Sequence, residues 1–462
     1  DLRKWLGGLV LAALVLRVGA LVVVHFVVGA HLFAPDAASY AFQGGVIADF
    51  WAGAAPPPEF ELGSQIVYPY LNAAFAYLLG DPTFGAVVLN LFAGIWTALV
   101  IFAIGRELAD VRVAKVAAVL TAIFPSLVLW SVLNVRDALT MFGVAALVYF
   151  GLRVYERQRP MDLLTVGVGA LFLAGLRDYM GFLVLAGLVL GAVAVVRRGR
   201  VGTTLAGGTV LVLVLVFGME QLGLFQRVAV ENPLEAMGEL RRGLTRDFRG
   251  GEAGSAFASG VEMDTVGDAL RFLPVGLAFF LFAPFPWAVS GLLQTITLPE
   301  VLIWYGLTPF TVLGFVKATD RGRRTILVVA AVLLLVVASY ALVEGNFGTA
   351  YRHRAQVMPL FFLFTAVGIV EVWKRWRARR RSAATRRRQA RSALSGSACR
   401  RPDEGIPCAA SPGSRWSGRR RPGPRGSATR PCAWPALSST GAPTGSTAIS
   451  RPRDAARWGT PA

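Results

Sequence analysis

The chain has 462 residues, of which 55% are hydrophobic and 16% charged, and several of its apolar runs reach the roughly 20 residues that cross a bilayer. This composition excludes an ordinary soluble domain, in which about 25% of residues are charged. The net charge of +19 does not indicate nucleic-acid binding, because 21 basic and only 3 acidic residues follow position 373 and the preceding residues sum to +1. We predict an all-α fold, a polytopic transmembrane helix bundle of about 10–12 spans.

The chain begins with a predicted span at residues 5–28, which Arg3 and Lys4 precede. This run is too long for the apolar part of a cleaved signal sequence, so we interpret it as a span. Basic flanks stay in the cytoplasm, which predicts that the N-terminus is inside and the following loop outside. No Lys or Arg occurs between Arg17 and Arg106, and this supports the outer placement of the loop.

The first outer loop, residues 29–81, contains five acidic residues and no basic one. We predict a short helix at residues 36–51 and a break at the three prolines 56–58. Residues 71–79 are apolar but too few to span, so they are predicted to form a helix at the outer interface. Asp36, at the start of the loop, lies where the head group of a hydrophilic substrate can reach it.

Apolar runs alternating with basic inner loops predict the later spans. They are residues 84–104, 116–132, 138–152, 163–176, 179–196, 205–219, 301–316, 325–343 and 355–373. A second outer loop covers residues 220–268, and an outer turn covers residues 344–354. Residues 272–289 are apolar but broken by three prolines. We predict that they are re-entrant or interfacial, because two full crossings here would violate the alternation.

We divide the chain into a first transmembrane module of residues 1–200, a second of residues 201–380, and a tail of residues 381–462. The tail is rich in Arg, Pro, Ser and Gly and lacks apolar periodicity, so it is predicted to be disordered. All three cysteines lie in this tail, and no disulfide is predicted in the membrane body.

Four groups of polar residues fall on the predicted outer face. They are Asp36 with Tyr40, Arg136 with Asp137, Arg177 with Asp178, and Arg352-His353-Arg354. Charges at the centre of a membrane helix cost about 2.5–3.5 kcal/mol each, so their placement is informative. Arginine binds phosphate through a planar fork, and a carboxylate can act as a general base. This combination favours transfer of a sugar from a lipid-linked phosphate, with arginines stabilising the departing phosphate.

Several short motifs in residues 5–200 can be compared with known families. They are Leu16-Arg17, Asp36-x-x-x-Tyr40, Tyr68-Pro69-Tyr70, the segment 124–131 (FPSLVLWS), and Arg136-Asp137-Ala138-Leu139. With them the sequence resembles the GT-C superfamily of polyprenyl-phosphate-dependent glycosyltransferases, the group that contains the protein O-mannosyltransferases and the bacterial aminoarabinose transferases. The segments 282–287 and 346–354 are similar to those of family members in cell-envelope polysaccharide loci.

The resemblance implies that Asp36 is the catalytic base and that Asp137 assists it. Many relatives carry two adjacent acids in the first loop, whereas Ala37 follows Asp36 here. We therefore predict no specific cofactor. A divalent metal ion is left open, and no residue is assigned as its ligand. The remaining predicted site residues are Arg352, Arg354 and Arg177 for the donor phosphate, and Tyr40 and His353 for other parts of the substrate.

Each of these residues also has a purely structural interpretation. Asp36 could cap the helix that it precedes, and Asp137 could start a span favourably with respect to the helix dipole. Arg177 could form a local ion pair with Asp178. Arg17, in the middle of the first span, is interpreted as paired with an acid or with backbone carbonyls inside the bundle. The aromatic residues predicted for the interface belt are Trp51, Tyr68 and Tyr70.

The predicted function is that of a GT-C type glycosyltransferase in polysaccharide biosynthesis, an integral-membrane enzyme. It would transfer a hexosyl or pentosyl sugar from a polyprenyl-phosphate carrier to a lipid, glycan or protein acceptor of the cell envelope. The active site would lie at the outer face of a bacterial inner membrane, with the N-terminus and the tail in the cytoplasm. No nucleic-acid partner is predicted.

Two alternatives remain from the sequence. A polymerase or ligase of lipid-linked oligosaccharides would also need outer arginines, but not an acid in the first loop. A transporter or flippase of lipid-linked sugars would need paired broken spans and polar residues deep within several spans. The sequence has few deep charges and no clear repeat, which favours the enzyme.

Overall fold

The computed structural model describes residues 1–60, 65–157, 159–195, 233–245, 265–289, 291–320 and 324–397, with a few isolated positions between 207 and 263. Every regular element in these ranges is a helix. The helices are α1 (Leu2–Val22), α2 (Ala37–Trp51), α3 (Val67–Leu79), α4 (Phe84–Leu108), α5 (Val111–Ile123), α6 (Pro125–Trp130), α7 (Asp137–Arg157), α8 (Pro160–Leu176), α9 (Asp178–Val195), α10 (Pro233–Thr245), α11 (Val266–Phe282), α12 (Leu292–Asp320), α13 (Arg324–Val343) and α14 (Phe347–Ser397). Residues 1–391 form one compact unit and residues 392–462 a second.

Within the described ranges, six helices are long and apolar enough to cross a membrane. They are Leu2–Val28, Phe84–Leu108, Asp137–Glu156, Leu292–Ala318, Ile326–Val343 and Phe347–Arg391, and two shorter apolar helices are Pro160–Leu176 and Tyr179–Ala194. The predicted all-α, multi-pass membrane bundle is confirmed. About half of the predicted span at residues 205–219 lies outside the described residues, as does most of the second outer loop.

The predicted span at residues 116–132 is wrong as a single helix, because the chain turns at Phe124. Phe124 is extended, with φ −64° and ψ 129°, since the residue before a proline avoids the helical region. The chain then re-enters a six-residue helix, α6, which starts at Pro125 and whose residues Leu127 and Trp130 are buried. The buried helix α6 therefore leads the chain through the interior of the bundle to the start of α7.

The first loop contains two short helices, as predicted, packed against each other. A Cβ atom on Gly44 of α2 would lie 2.5 Å from the Cβ of Asn72 on α3, so only glycine permits this close approach. The helix α3 begins at Val67, earlier than predicted, because Pro69 is tolerated in the first turn of a helix. The predicted re-entrant stretch at 272–289 overlaps the second part of the 17-residue helix α11, which starts at Val266 and has Pro274 inside it.

The helix α14 is much longer than the predicted span at residues 355–373. It begins at Phe347, so the predicted outer turn at residues 344–354 is wrong for most of its length. It continues to Ser397, so residues 381–397 of the predicted tail are helical, while residues 398–462 lie outside the described residues.

Two glycines bring α12 and α14 into contact. A Cβ on Gly314 would lie 1.8 Å from the carbonyl oxygen of Phe364, and one on Gly368 would lie 2.0 Å from that of Phe310. In a membrane, no hydrophobic driving force brings helices together, so their association relies on close packing. Small residues allow this close approach of the helix backbones.

The two ends of α14 differ in their surroundings. Near its C-terminal part, Lys374 pairs with Asp110 at 3.1 Å, and Arg112 lies over the ring of Trp373 at 5.5 Å. Arg352 lies 22 residues earlier, which is about 33 Å along an α-helix and close to the thickness of the hydrocarbon core of a bilayer. The basic contacts and Arg352 therefore belong to opposite ends of the bundle.

Candidate active site

Asp36 stands directly before α2, at the position where it could cap the helix. Its carboxylate makes no capping hydrogen bond, so the structural interpretation of Asp36 is wrong. Instead, its Oδ2 atom accepts a hydrogen bond from Nη1 of Arg352 at 2.8 Å. The other oxygen, Oδ1, is buried and has no hydrogen-bond partner. The Asp36 side chain remains 34% exposed.

Asp137 is the first residue of α7, and its side chain is fully buried. Its Oδ2 accepts a hydrogen bond from Nε of Arg352 at 2.5 Å, so one guanidinium bridges Asp137 and Asp36. Its Oδ1 accepts from Nη2 of Arg177 at 3.3 Å and from Nε2 of Gln356 at 2.6 Å. Arg177 thus pairs with Asp137, which is 40 residues away in the chain, and the interpretation of Arg177 as a purely local ion-pair partner does not account for this contact.

Two residues that sequence reasoning missed support Asp137 from behind. Gln356 lies one helical turn after Arg352, and its Oε1 accepts a hydrogen bond from the hydroxyl of Tyr340 at 2.6 Å. The spacing of four residues places Gln356 and Arg352 on one face of α14. A glutamine at that spacing from an arginine was the available signal, and only the helical start of α14 gives it meaning.

The turn that precedes Asp137 is held by a buried polar network. Nδ2 of Asn90 lies 2.8 Å from the carbonyl oxygens of Leu133 and Val135 and 2.9 Å from the hydroxyl of Tyr68, so three acceptors share its two hydrogens. The Tyr68 hydroxyl in turn donates to Oδ1 of Asn134 at 2.8 Å. Tyr68 is fully buried, so its predicted place in the interface belt is wrong, and burial raises the pKa of its phenol.

Arg136 and Tyr40 lie beside this network. The Tyr40 ring contacts the ring of Tyr68 edge-on at 4.9 Å, and the Arg136 guanidinium lies 6.0 Å from the centre of the Tyr40 ring. Arg136 forms no ion pair or side-chain hydrogen bond with the part of the chain that the structure describes, and its Nε is buried. Burial and the charge of Arg177 lower the pKa of Arg136.

Arg354 and His353 are not brought to Asp36. Nη1 of Arg354 donates to the carbonyl oxygens of Leu281 and Ala283, at 2.9 and 2.8 Å, and so binds the C-terminal end of α11. His353 pairs with Glu344 and stacks on Tyr340 at 4.8 Å. Successive side chains on an α-helix point about 100° apart. The side chains of Arg352, His353 and Arg354 therefore point in different directions, whereas the turn predicted from the sequence would have let them meet.

Asp36 and Arg352 line a cavity of about 610 Å³. Its walls are mostly apolar, from residues such as Leu129, Ile296 and Ile303. Arg352 lies over the ring of Trp130 at 5.6 Å, which is also a wall residue. The cavity therefore combines a mostly apolar enclosure with charged side chains, Asp36 and Arg352 among them, at its wall.

A second carboxylate, Glu300, lines the same cavity and was missed from the sequence. Its Oε2 accepts from the backbone N of Ser126 at 2.6 Å and from the hydroxyl of Tyr351 at 2.8 Å. It therefore joins α12 to α6 and α14. The available signal was an acid at the edge of a predicted span, which is costly without partners.

Arg17 satisfies its structural interpretation. Its Nη1 donates to the carbonyl oxygen of Ala122 at 2.9 Å and weakly to that of Ala13, and its side chain is fully buried. It serves the packing of α1 on the bundle, not the site.

A divalent metal ion at this site would need ligands besides its two acids. Asp36 and Asp137 are the acids that meet there, and a single guanidinium already lies between them. Metal sites need several oxygen or nitrogen ligands that converge on one point. Among the residues searched, those that the structure describes, no group of three His, Cys, Asp or Glu could hold such an ion.

Residues 64–219 match the family model described as dolichyl-phosphate-mannose-protein mannosyltransferase. The match covers 156 of the 462 residues, and over these residues it confirms the resemblance to the GT-C superfamily inferred from the sequence. The matched residues include Tyr68, Asn90, Arg136, Asp137 and Arg177, whereas the GT-C match does not reach Asp36 or Arg352.

Solved structures of an archaeal enzyme from Archaeoglobus fulgidus are also similar to the chain. The oligosaccharyltransferase AglB in complex with an inhibitory peptide and a dolichol-phosphate is 16% identical, with 83% of this chain and 52% of that chain covered and a TM-score of 0.48. The same organism's oligosaccharyltransferase in its apo form is 14% identical, with 81% and 52% covered and a TM-score of 0.43. The chain spans about half the length of these structures. No curated protein matches it.

Proposed function

We propose that the protein transfers a sugar from a polyprenyl-phosphate carrier to a hydroxyl acceptor. The observation that carries this proposal is the arrangement of Arg352 between two carboxylates at the wall of the cavity. Arg352 uses Nε for Asp137 and Nη1 for Asp36, and its Nη2 has no hydrogen-bond partner. Asp36 likewise keeps one oxygen, Oδ1, without a hydrogen-bond partner. A carboxylate and a guanidinium that can each make a further hydrogen bond therefore lie side by side.

In the proposed reaction, Oδ1 of Asp36 takes the proton of the acceptor hydroxyl as the acceptor oxygen bonds to the anomeric carbon of the sugar. The bond between that carbon and the phosphate oxygen breaks, and the carrier phosphate leaves with the electron pair. Nη2 of Arg352 donates to this phosphate and stabilises its growing negative charge. A fixed donor needs no reorganisation at the moment of reaction.

Asp137 has a different role in this proposal from that of Asp36. It is fully buried, and both of its oxygens are already occupied by cationic or amide donors. A carboxylate so placed cannot accept a proton from a substrate. We assign it as a positioning residue, which fixes the plane of the Arg352 guanidinium and so the direction of its free Nη2.

The family description supports the donor class. It names a lipid-phosphate-linked sugar as the donor and a protein as the acceptor of that family. A mostly apolar cavity with a cation at its wall suits an isoprenoid chain that ends in a phosphate. We propose a polyprenyl-phosphate donor and a lipid, glycan or protein acceptor, and we assign Arg354 to the packing of α11 instead of the phosphate.

We place the site at the extracytoplasmic face of a bacterial inner membrane. The absence of Lys and Arg between positions 17 and 106 supports this orientation, since Asp36 lies inside that window. The basic contacts of Lys374 and Arg112, at the other end of the bundle, support a cytoplasmic position for that end.

The test compares wild type with Asp36→Asn in liposomes that contain radiolabelled polyprenyl-phosphate sugars. Asparagine keeps the size and can still accept from Arg352, but it cannot take a proton. We expect transfer to fall by about 10²–10⁴-fold, the contribution of a general base. Asp49→Asn is the matched control, because Asp49 lies on the same helix α2 and is exposed.

Wild-type transfer by the Asp36→Asn variant would rule out Asp36 as the base. If the wild-type protein moved labelled donor between leaflets without cleaving it, the transporter alternative would replace the proposal.

A further inference from the structure

The charges around Arg352 do not balance. The site brings together two acids, Asp36 and Asp137, and three arginines, Arg136, Arg177 and Arg352. Arg352 pairs with both acids, and Arg177 pairs with Asp137. Arg136 pairs with neither, so these five side chains sum to one positive charge. An excess charge that is partly withdrawn from water is costly unless a partner of opposite sign arrives.

The position of Arg136 is fixed by groups that have no charge. Its backbone belongs to the turn that Asn90 holds through the carbonyl oxygens of Leu133 and Val135. Its guanidinium lies 6.0 Å from the centre of the Tyr40 ring, at the far limit of a cation–ring contact, which orients the cation but brings no negative charge to it. The guanidinium is therefore oriented but not neutralised by the protein.

No neighbouring carboxylate in the described part of the chain pairs with Arg136, so an ion pair within the protein does not explain its position. It immediately precedes Asp137, yet that carboxylate is taken by Arg352, Arg177 and Gln356. Arg177 and Arg352 are near enough for their positive charges to disfavour the charge on Arg136. Arginine binds phosphate through its planar fork, so a cation held beside two other cations without an anion of its own suits a phosphate ligand.

We propose that Arg136 binds the phosphate of the lipid-linked donor together with Arg352. This inference rests on the proposed function, and it names the residue that neutralises the substrate. A sugar phosphodiester carries one negative charge, which equals the excess charge of the cluster. Transfer releases a phosphate monoester, which gains up to one further negative charge near neutral pH. The arginines therefore bind the leaving group more strongly as the carbon–oxygen bond breaks, which favours the transition state over the bound donor.

The test measures binding of the phosphate group without turnover. The probe is citronellyl phosphate, a short isoprenyl phosphate, and its binding to the purified full chain in detergent is followed by calorimetry. We expect Arg136→Gln to weaken binding by about 10- to 100-fold, the usual contribution of a hydrogen bond to a charged group. Arg136→Lys keeps the charge without the planar fork and should lose less than the glutamine variant.

The matched control is Arg271→Gln, since Arg271 is exposed and pairs with Asp268 at 3.7 Å, away from Arg352. Its affinity for the probe should equal that of wild type. The thermal midpoint of each ligand-free variant reports whether it is folded, and the lysine variant keeps the test decisive if the glutamine variant is not.

Four outcomes would overturn the inference or separate it from the proposed function. Wild-type affinity in both Arg136 variants would overturn it. Inorganic phosphate binding as tightly as citronellyl phosphate would identify free phosphate as the ligand and overturn the lipid assignment. If Arg136→Gln binds normally while Asp36→Asn abolishes transfer, the inference falls and the proposed function stands. If Arg136→Gln loses binding while Asp36→Asn stays active, the phosphate site stands and the assigned base is wrong.

Discussion

Replacing Asp137 by asparagine tests whether one buried charge organises the site. Asparagine has the same shape but no charge, and it offers an N–H₂ group where the carboxylate offered an oxygen. Because Oδ1 and Oδ2 together accept three hydrogen bonds, at least one of them must be lost. Arg352 and Arg177 would then share no buried anion.

The structure sets the size of the effect. Removing one partner of a buried ion pair typically costs about 3–5 kcal/mol, because the other charge is left uncompensated. The compact unit has 391 residues, and an unfolding entropy of about 2.1 cal/mol/K per residue gives about 0.8 kcal/mol/K for it. On that scale for globular proteins, the Asp137→Asn variant should unfold about 4–6 °C below wild type.

Transfer should fall as well, and by a different route. Without the Asp137 contact, the Arg352 guanidinium can rotate to bind Asp36 with both of its terminal nitrogens. Nη2 then no longer faces the phosphate and the free oxygen of Asp36 is occupied, which should lower the rate by about 10²-fold. Thermal unfolding in detergent and transfer in liposomes measure the two effects separately.

A compensating variant sharpens the test. Adding Arg177→Gln to Asp137→Asn removes one of the stranded cations, so the double variant should recover part of the lost thermal midpoint, with Arg177→Gln alone completing the cycle. A midpoint within 1 °C of wild type for Asp137→Asn, together with an unchanged transfer rate, would refute the view that Asp137 holds the site together.

Two further predictions concern the bundle. Gly314→Ala should push α12 from α14, because the new Cβ would lie 1.8 Å from the carbonyl oxygen of Phe364; its thermal midpoint should drop by several degrees, and a midpoint equal to that of wild type would show that the contact is not tight. Asp110 binds Lys374 and caps α5, and although its partial burial acts the other way, hydrogen bonds from Val113 and Lys374 lower its pKa below 3.8. The stability that wild type has over Asp110→Asn should therefore be complete above about pH 5 and disappear as the pH falls below 4, as thermal scans across pH can measure.

The helix bundle and the meeting of Asp36 with Arg352 were accessible from the sequence. Long apolar runs and the distribution of basic residues define which loops share a face. Two segments on one face, 316 residues apart in the chain, were thereby expected near each other, and the 2.8 Å ion pair joins them. Topology alone was sufficient here, because a membrane leaves only two faces to choose between.

The divergence of Arg352, His353 and Arg354 was not accessible in the same way. Glycines and charged residues at positions 344–354 are typical of a turn, and they hide the start of a helix at Phe347. A shift from turn to helix sends adjacent side chains in different directions, so an error of local structure becomes an error of site membership. The contacts of Arg354 with α11 depend on packing that no local pattern encodes.

Tyr68 illustrates the other limit of the sequence. An aromatic residue beside proline in an outer loop is typical of the membrane interface. Its burial depends on three asparagines from α3, α4 and the turn before α7, which are far apart in the chain. Each asparagine alone is unremarkable in sequence, and only their convergence identifies them as supports of the turn.

The continuous helix α14 connects the candidate site to the opposite end of the bundle. An unbroken helix fixes angle as well as height, so the direction in which Arg352 points is determined in part by where Trp373 and Lys374 engage α5. One residue inserted between these two points would rotate Arg352 by about 100° and shift it by about 1.5 Å, away from both acids. The orientation of the Arg352 guanidinium therefore depends on contacts made at the opposite end of the bundle.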